Sequence, residues 1–312
     1  MSLPNRPCFH DETAAYTYLE GVLWPNGPTC PHCGNANAEK IGTLKGKSTR
    51  PGVRKCYECR KPFTVKIGTI YESSHIPLHK WLQATLLMCA SKKGISAHQL
   101  HLVLEITYKS AWFMAHRIRE AMRTGDLTPM GGDGKTVEAD ETFIGGRERN
   151  KHANKKHRAG RDWTGREPVF SPVERGGHVR SRAVKGVSAK TLRPILTAQI
   201  DRATKFIADD AGPYRHTGED FDHAVINHGI DEYVRGSVHT NTIESYVAVL
   251  KRGITGTYHH ASPWHLKRYL AEFDFRYNEH AELGVEDAER TTKALVGSIG
   301  KRLTYRDSSS VA

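Results

Sequence analysis

The chain has 312 residues, a formal net charge of +12 and a sequence pI of about 9.4, with 26% charged and 38% hydrophobic residues. That length allows one large domain and one or two small ones, and the composition is that of a folded chain, not a disordered one. No apolar run, residues 81–90 included, is long enough to cross a bilayer, and the first ten residues lack the apolar centre of a signal peptide. A cytoplasmic protein with no membrane partner is therefore expected. The basic excess favours a polyanion, most simply nucleic acid, without choosing DNA over RNA.

Residues 8–24 carry Tyr16, Leu19, Val22 and Leu23 at helical spacing, with Asp11 or Thr13 as cap. Two C-x-x-C turns follow, Cys30 with Cys33 and Cys56 with Cys59. Each turn offers two thiolates to one ion, and four thiolates complete the closed tetrahedron of a structural zinc. In a reducing compartment such pairs are metal ligands, not disulfides. Phe63, Thr64 and Val65 read as a strand behind them, so residues 1–72 form a helix and a zinc ribbon. So short a segment builds no core without its ion. Cys89, in an apolar helical run, reads as an inert buried thiol.

Residues 73–125 read as three helices. The first, 77–91, has Leu78, Trp81, Leu82, Leu86 and Met88 on its apolar side. Ser96-x-x-Gln99 is a capping-box pattern opening a short second helix, and residues 108–123 form a third after a tight turn. Short helix, turn, longer helix is helix-turn-helix geometry, with Lys109, Arg117, Arg119 and Arg123 as DNA contacts. An ordinary helical bundle gives the same periodicity, and the usual turn glycine is absent. Residues 126–135, rich in glycine with one proline, read as a linker.

Val137 and Ala139 then alternate with polar residues in a strand that carries Asp140 near its end and stops at Gly145-Gly146. A carboxylate so placed is held by a rigid sheet yet faces a cleft, a good mount for a metal-binding acid. Taken alone, Glu138, Asp140 and Glu141 read more readily as solvated polar positions, and it is the rest of the chain that favours the metal-binding reading. The loop 147–166 is dense in Arg and Lys, and Lys155, Lys156 and Arg158 suggest phosphate contacts. Residues 169–187 read as two strands, 188–200 as a helix capped by Ser188, 205–208 as a strand ending at Asp209, and 224–227 as another strand. Three strands, a helix, two strands and a helix match a ribonuclease-H-like (integrase-type) α/β sheet, in which acids from the first and fourth strands become neighbours. This domain is expected to span residues 136–305, with a disordered tail at 306–312. In the helix from residue 241, Asn241, Glu244, Ala248 and Lys251 fall within an arc of about 80°, beside an apolar arc of Ile243, Val247 and Leu250.

Together, C-P-H-C-G, Y-E-C-R-K-P-F-T-V, A-D-E-T-F-I-G-G, V-E-R-G-G-H-V-R, A-D-D-A-G-P-Y, V-I-N-H and V-H-T-N-T-I-E-S-Y-V-A-V-L-K-R-G-I resemble insertion-sequence transposases of the ISXO-two-like type, in the IS-fifteen-ninety-five group. The pieces run in order from about residue 25 to 280. The resemblance implies a zinc ribbon, a DDE catalytic domain, and cleavage and joining of the element's DNA at terminal inverted repeats, followed by insertion into target DNA. It implies Asp140 and Asp209 as the first two acids, Glu244 or Asn241 as the third, and Lys251 as the basic residue that follows. It also implies Mg²⁺ or Mn²⁺ held by Asp140, Asp209 and Glu244, and a homo-oligomer on DNA. Ala208 departs from the threonine expected before the second acid, a change conservative in size. Asn241 and Glu244 also fit an N-cap and its capping-box partner, with no metal involved.

Overall fold

Asp11 opens the first helix: its side chain accepts the Ala14 amide at 2.7 Å, and α1 runs Glu12–Leu23. In the computed structural model the described residues are 3–125, 128–146, 152, 165–209, 212–214, 217–226 and 234–304. Lys155, Lys156, Arg158 and the 306–312 tail lie outside them.

The chain divides into two units, Met1–Arg123 with Val285–Ala312, and Thr124–Gly284. In the first, β1 (Ile41–Thr43), β2 (Arg54–Cys56) and β3 (Pro62–Phe63) form an antiparallel sheet in the order β1-β2-β3. The strand expected at 63–65 is thus shorter and starts one residue earlier. α2 (Leu78–Ala90), α3 (Ala97–Leu104) and α4 (Tyr108–Ala121) follow. The capping box at α3 forms as the spacing predicts: Gln99 N donates to Ser96 Oγ at 3.1 Å and Ser96 N to Gln99 Oε1 at 2.9 Å. Glu105 takes a left-handed conformation (φ 50°) between α3 and α4, where a glycine is usual.

The helix α8 (Asp287–Val296) is not expected from the sequence and belongs to this first unit, packed on α2, α1 and α4. The boundary at 305 is therefore replaced by one at Val285. Arg290 fastens α8 by donating to the carbonyls of Cys89 (3.0 Å) and Val285 (3.2 Å). Gly297 permits its close approach to α4: a Cβ there would meet the Ala121 carbonyl oxygen at 2.4 Å. Cys89 is buried, as expected of an inert thiol.

The second unit is built on a five-stranded sheet of β4 (Thr136–Ile144), β5 (Glu167–Glu174), β6 (Arg182–Ala183), β7 (Lys205–Asp209) and β8 (Asp222–Ile226). The spatial order is β6-β5-β4-β7-β8, with β4, β5 and β6 antiparallel and β7 and β8 parallel to β4. Strand alternation sorts side chains onto two faces. Val137, Ala139, Phe170, Phe206 and Ala208 pack with Leu192 and Leu196 of α5 (Ala189–Gln199). Ile144, Val169 and Val173 pack on the other face with α6 (Asn241–Gly253) and α7 (Pro263–Asn278), through Ile243, Val247, Leu250, Leu270 and Phe273. The unit is thus a sheet between two helical layers. A short hairpin, β9 (Val234–Arg235) and β10 (Val238–His239), leads into α6. Residues 128–135, expected as linker, are pinned to this unit: Gly131 N donates to Glu174 Oε2 and Gly132 N to the buried Thr204 hydroxyl. Among the described residues no helix is long and apolar enough to cross a membrane.

Candidate active site and zinc centre

The parallel register between β4 and β7 sets Glu138 against Ile207. Two residues further on, the same offset brings Asp140 level with Asp209, the last residue of β7. Asp140 shares its face of β4 with Glu138, Thr142 and Ile144, and that face is covered by α6. Glu244 and Lys251, both on α6, act electrostatically on Asp140. The Asp140 carboxyl is pushed up to about 6, first by burial and then by the negative charges of Asp209 and Glu244. The Glu141 amide, which donates to Asp140 Oδ1 at 2.7 Å, and the Lys251 ammonium oppose that rise. Charges on two adjacent strands and on one helix thus act on the Asp140 carboxyl.

Glu141 and Tyr214 are two further residues of this cluster that sequence reasoning did not single out as functional. Glu141 lies on the α5 side of β4 and is raised to about 7, first by burial, with Asp209 and Asp140 adding to it and the Tyr214 hydroxyl opposing it. Tyr214 is buried beside Glu141, and its hydroxyl is held well above its ordinary value by burial and by that carboxylate. Tyr214 Oη and Glu141 Oε1 lie within mutual influence but complete no hydrogen bond. The signal for Tyr214 was present in A-D-D-A-G-P-Y, where a large aromatic follows the second acid at short range.

The alternative in which Asn241 caps its helix does not hold. The N-cap of α6 is Thr240, Asn241 is the first helical residue, and the Thr240 hydroxyl donates to Glu244 Oε1 at 2.7 Å. Asn241 and Glu244 both remain exposed to solvent. The carboxylates are not gathered as tightly as metal ligands: among the described residues only the four cysteines form a group of three or more within 4.8 Å of one another.

In the first unit, Cys30 and Cys59 have their sulfurs 3.7 Å apart, as do Cys33 and Cys56. A tetrahedron with Zn–S distances of about 2.3 Å has edges of about 3.8 Å, and the four sulfurs, two pairs at 3.7 Å and all within 4.8 Å of one another, lie close enough to share one zinc ion. Backbone turns shape each knuckle: Gly34 N donates to Cys30 O at 2.9 Å and Cys56 N donates to Lys61 O at 3.1 Å. Gly34 takes φ +73°, relieving the chain just past Cys33. Asn35 Nδ2 points at Cys56 Sγ at 3.6 Å, a donor to a thiolate. Behind the sulfurs lie Ile41 and Phe63, with Trp24 edge-on to Phe63.

The basic residues of α4 divide. Lys109 and Arg123 are exposed, and Arg123 pairs with Glu120 at 2.9 Å. Arg117 and Arg119, expected among the DNA contacts, are instead turned into the protein, with 5% and 2% of their surface exposed. Arg117 donates to the Glu72 carbonyl at 2.7 Å and lies over the rings of Trp81 and Phe113; burial lowers it to about 10. Helical periodicity placed these arginines on the helix without showing which side the core would take.

Two family models match this chain: a transposase zinc-ribbon domain over residues 10–62 and an ISXO2-like transposase domain over residues 131–278. Together they span more than half of it, and they fall on the cysteine centre and on the sheet with its acids. The chain belongs to the ISXO2-like transposases of the IS1595 type. A curated relative, described as an uncharacterized protein in transposable element ISH50 of Halobacterium salinarum, is 26% identical over 289 residues, covering 89% of this chain and 95% of that protein.

Proposed function

We propose that the protein is a DNA transposase whose ribonuclease-H-like sheet carries the chemistry. It binds the terminal inverted repeats of its element, hydrolyses a strand to free a 3′-hydroxyl, and joins that hydroxyl to target DNA. The observation that carries this reading is the convergence on Asp140 of charge from Asp209, Glu244 and Lys251, on a sheet in which β4 and β7 are parallel neighbours.

Asp140, Asp209 and Glu244 are hard oxygen donors, and the Asp140 carboxyl, raised first by burial and then by the charges of Asp209 and Glu244, is one that a bound divalent cation would favour in its ionised form. Mg²⁺ or Mn²⁺ bound there would supply Lewis-acid stabilisation of the attacking and leaving oxygens of an in-line phosphoryl transfer. Lys251 orients the phosphate from the helix side. Glu244 is the preferred third ligand over Asn241, because a carboxylate holds such a cation better than an amide oxygen. The zinc ribbon and the α3–α4 pair hold DNA, with Lys109 and Arg123 on the exposed surface. Lys155, Lys156 and Arg158 add phosphate contacts in the basic loop. The protein works in the cytoplasm as a homo-oligomer on DNA, since two inverted ends must be brought together.

Cleavage and joining of DNA ending in the element's inverted repeats, with Mg²⁺ or Mn²⁺, tests this reading. Asp140→Asn and Asp209→Asn should each abolish both steps while DNA binding stays near normal. Near-wild-type strand transfer by either variant would mean that the acids are misassigned.

A further inference from the structure

Glu138 is fully buried on β4, two residues before Asp140 and on the same face. A carboxylate deprived of water persists only where donors replace it. Here they come from three elements. Thr242 N and Ile243 N donate to Oε2 at 2.9 and 3.0 Å; the Thr242 hydroxyl donates to Oε1 at 3.0 Å, and Arg175 Nε to Oε1 at 2.5 Å. His239 Nδ1 stands 3.4 Å away.

Thr242 and Ile243 are the second and third residues of α6, whose amides have no partner within the helix. The N-cap residue, Thr240, makes no side-chain cap. Glu138 therefore does from the sheet what a cap does from the chain, with a negative charge at the favourable end of the helix dipole. Arg175 extends the anchor by donating to the carbonyls of Ser237 and His239, both at 2.8 Å, in the turn and strand that lead into α6. Glu244 is the residue after the second anchored amide. One short stretch of β4 thus carries Asp140 and fixes the height and rotation of the helix that carries Glu244.

We propose that Glu138 is a positioning residue that sets Glu244 against Asp140 and Asp209. It touches none of the reacting atoms. The proposal rests on the reading of Asp140, Asp209 and Glu244 as a divalent-metal site. Glu138→Gln would replace an acceptor oxygen by an NH₂ group that faces other donors, so the start of α6 must shift.

The test is calorimetric titration of Mn²⁺ into zinc-loaded, full-length protein. Wild type would be compared with Glu138→Gln, Thr242→Ala, Asp140→Asn and a destabilised control, Leu196→Ala, in the core on the other side of the sheet. Glu138→Gln should weaken Mn²⁺ binding about tenfold or more, the range for residues that orient metal ligands. Thr242→Ala should weaken it less but in the same direction, and Leu196→Ala should leave it unchanged at an equal or greater loss of melting temperature. Wild-type affinity in folded Glu138→Gln, with binding lost in Asp140→Asn, overturns the positioning role alone. Should Glu138→Gln not fold, wild-type affinity in Thr242→Ala overturns it. Undiminished binding in Asp140→Asn removes the metal site itself, and the proposal with it.

Discussion

Asp209 presses on Asp140. The register that pairs Glu138 with Ile207 brings the two carboxylates level on parallel strands, and the charge of Asp209 adds to burial in holding the Asp140 carboxyl near 6. Its ordinary value is 3.8. Below pH 3.8 the carboxyl is protonated in both folded and unfolded chains and costs nothing. Between 3.8 and about 6 only the unfolded chain ionises, so stability is lost as pH rises, and the loss is complete above 6. Without divalent cation, Asp140→Asn should therefore stabilise the protein at pH 7.5, by on the order of 1–3 kcal/mol, and do little at pH 3.5. Glu141, raised from 4.5 to about 7, adds a loss of the same sign over a slightly higher range. Melting temperatures of both proteins across pH would show it. A less stable Asp140→Asn at pH 7.5 would contradict the strained acid pair.

The first turn of α6 separates two roles. Asn241 caps nothing, so Asn241→Ala should change stability by less than about 0.5 kcal/mol. Glu244→Gln keeps an oxygen for the Thr240 hydroxyl and should cost less than about 1 kcal/mol while removing strand transfer. Asn241→Asp should preserve activity. An active Glu244→Gln beside a folded but dead Asn241→Ala would reverse the assignment of the third ligand.

One zinc per chain is expected on elemental analysis of protein purified without chelator. Cys30→Ser should unfold the ribbon and weaken DNA-end binding while leaving the circular dichroism of the second unit's sheet intact, because the ribbon core of Cys30, Ile41, Cys56 and Phe63 is small without its ion. Zinc-free protein with a folded ribbon would contradict this.

Arg117→Ala and Lys109→Ala should fail in different assays. Arg117 is buried over Trp81 and Phe113, so its loss should cost about 1–3 kcal/mol of stability. Lys109→Ala should leave stability within about 0.5 kcal/mol, weaken binding to all sequences alike and reduce the salt slope by about 1. A normal melting temperature for Arg117→Ala would argue against its interior role.

What the sequence made legible was local. The two C-x-x-C turns, the Ser96–Gln99 box and the strand carrying Asp140 follow from spacing over a few residues, and each forms. What it concealed was settled at long range. Thr240 replaces Asn241 as N-cap because the start of α6 takes its acceptor from Glu138, over a hundred residues earlier. Arg117 and Arg119 sit on a helix whose inner side is chosen by α2 and the other elements packed on it. The β9–β10 hairpin has strands of two residues, too short for any alternation to register. α8 is polar enough in isolation that its apolar pair, Ala294 and Leu295, reads as a helix face only once α2 is there to cover it.

The return of α8 to the first unit gives the order of synthesis a role. A ribosome that has made the ribbon and the α3–α4 pair has not yet made the helix that packs against α2, and cannot until the five-stranded sheet of the second unit has been translated. Chains stopped early by a nonsense codon or frameshift carry the ribbon and the α3–α4 pair without the Arg290 clasp on Cys89. An element decaying by such mutations should then accumulate fragments that fold poorly, instead of stable fragments that occupy its ends and block an intact copy.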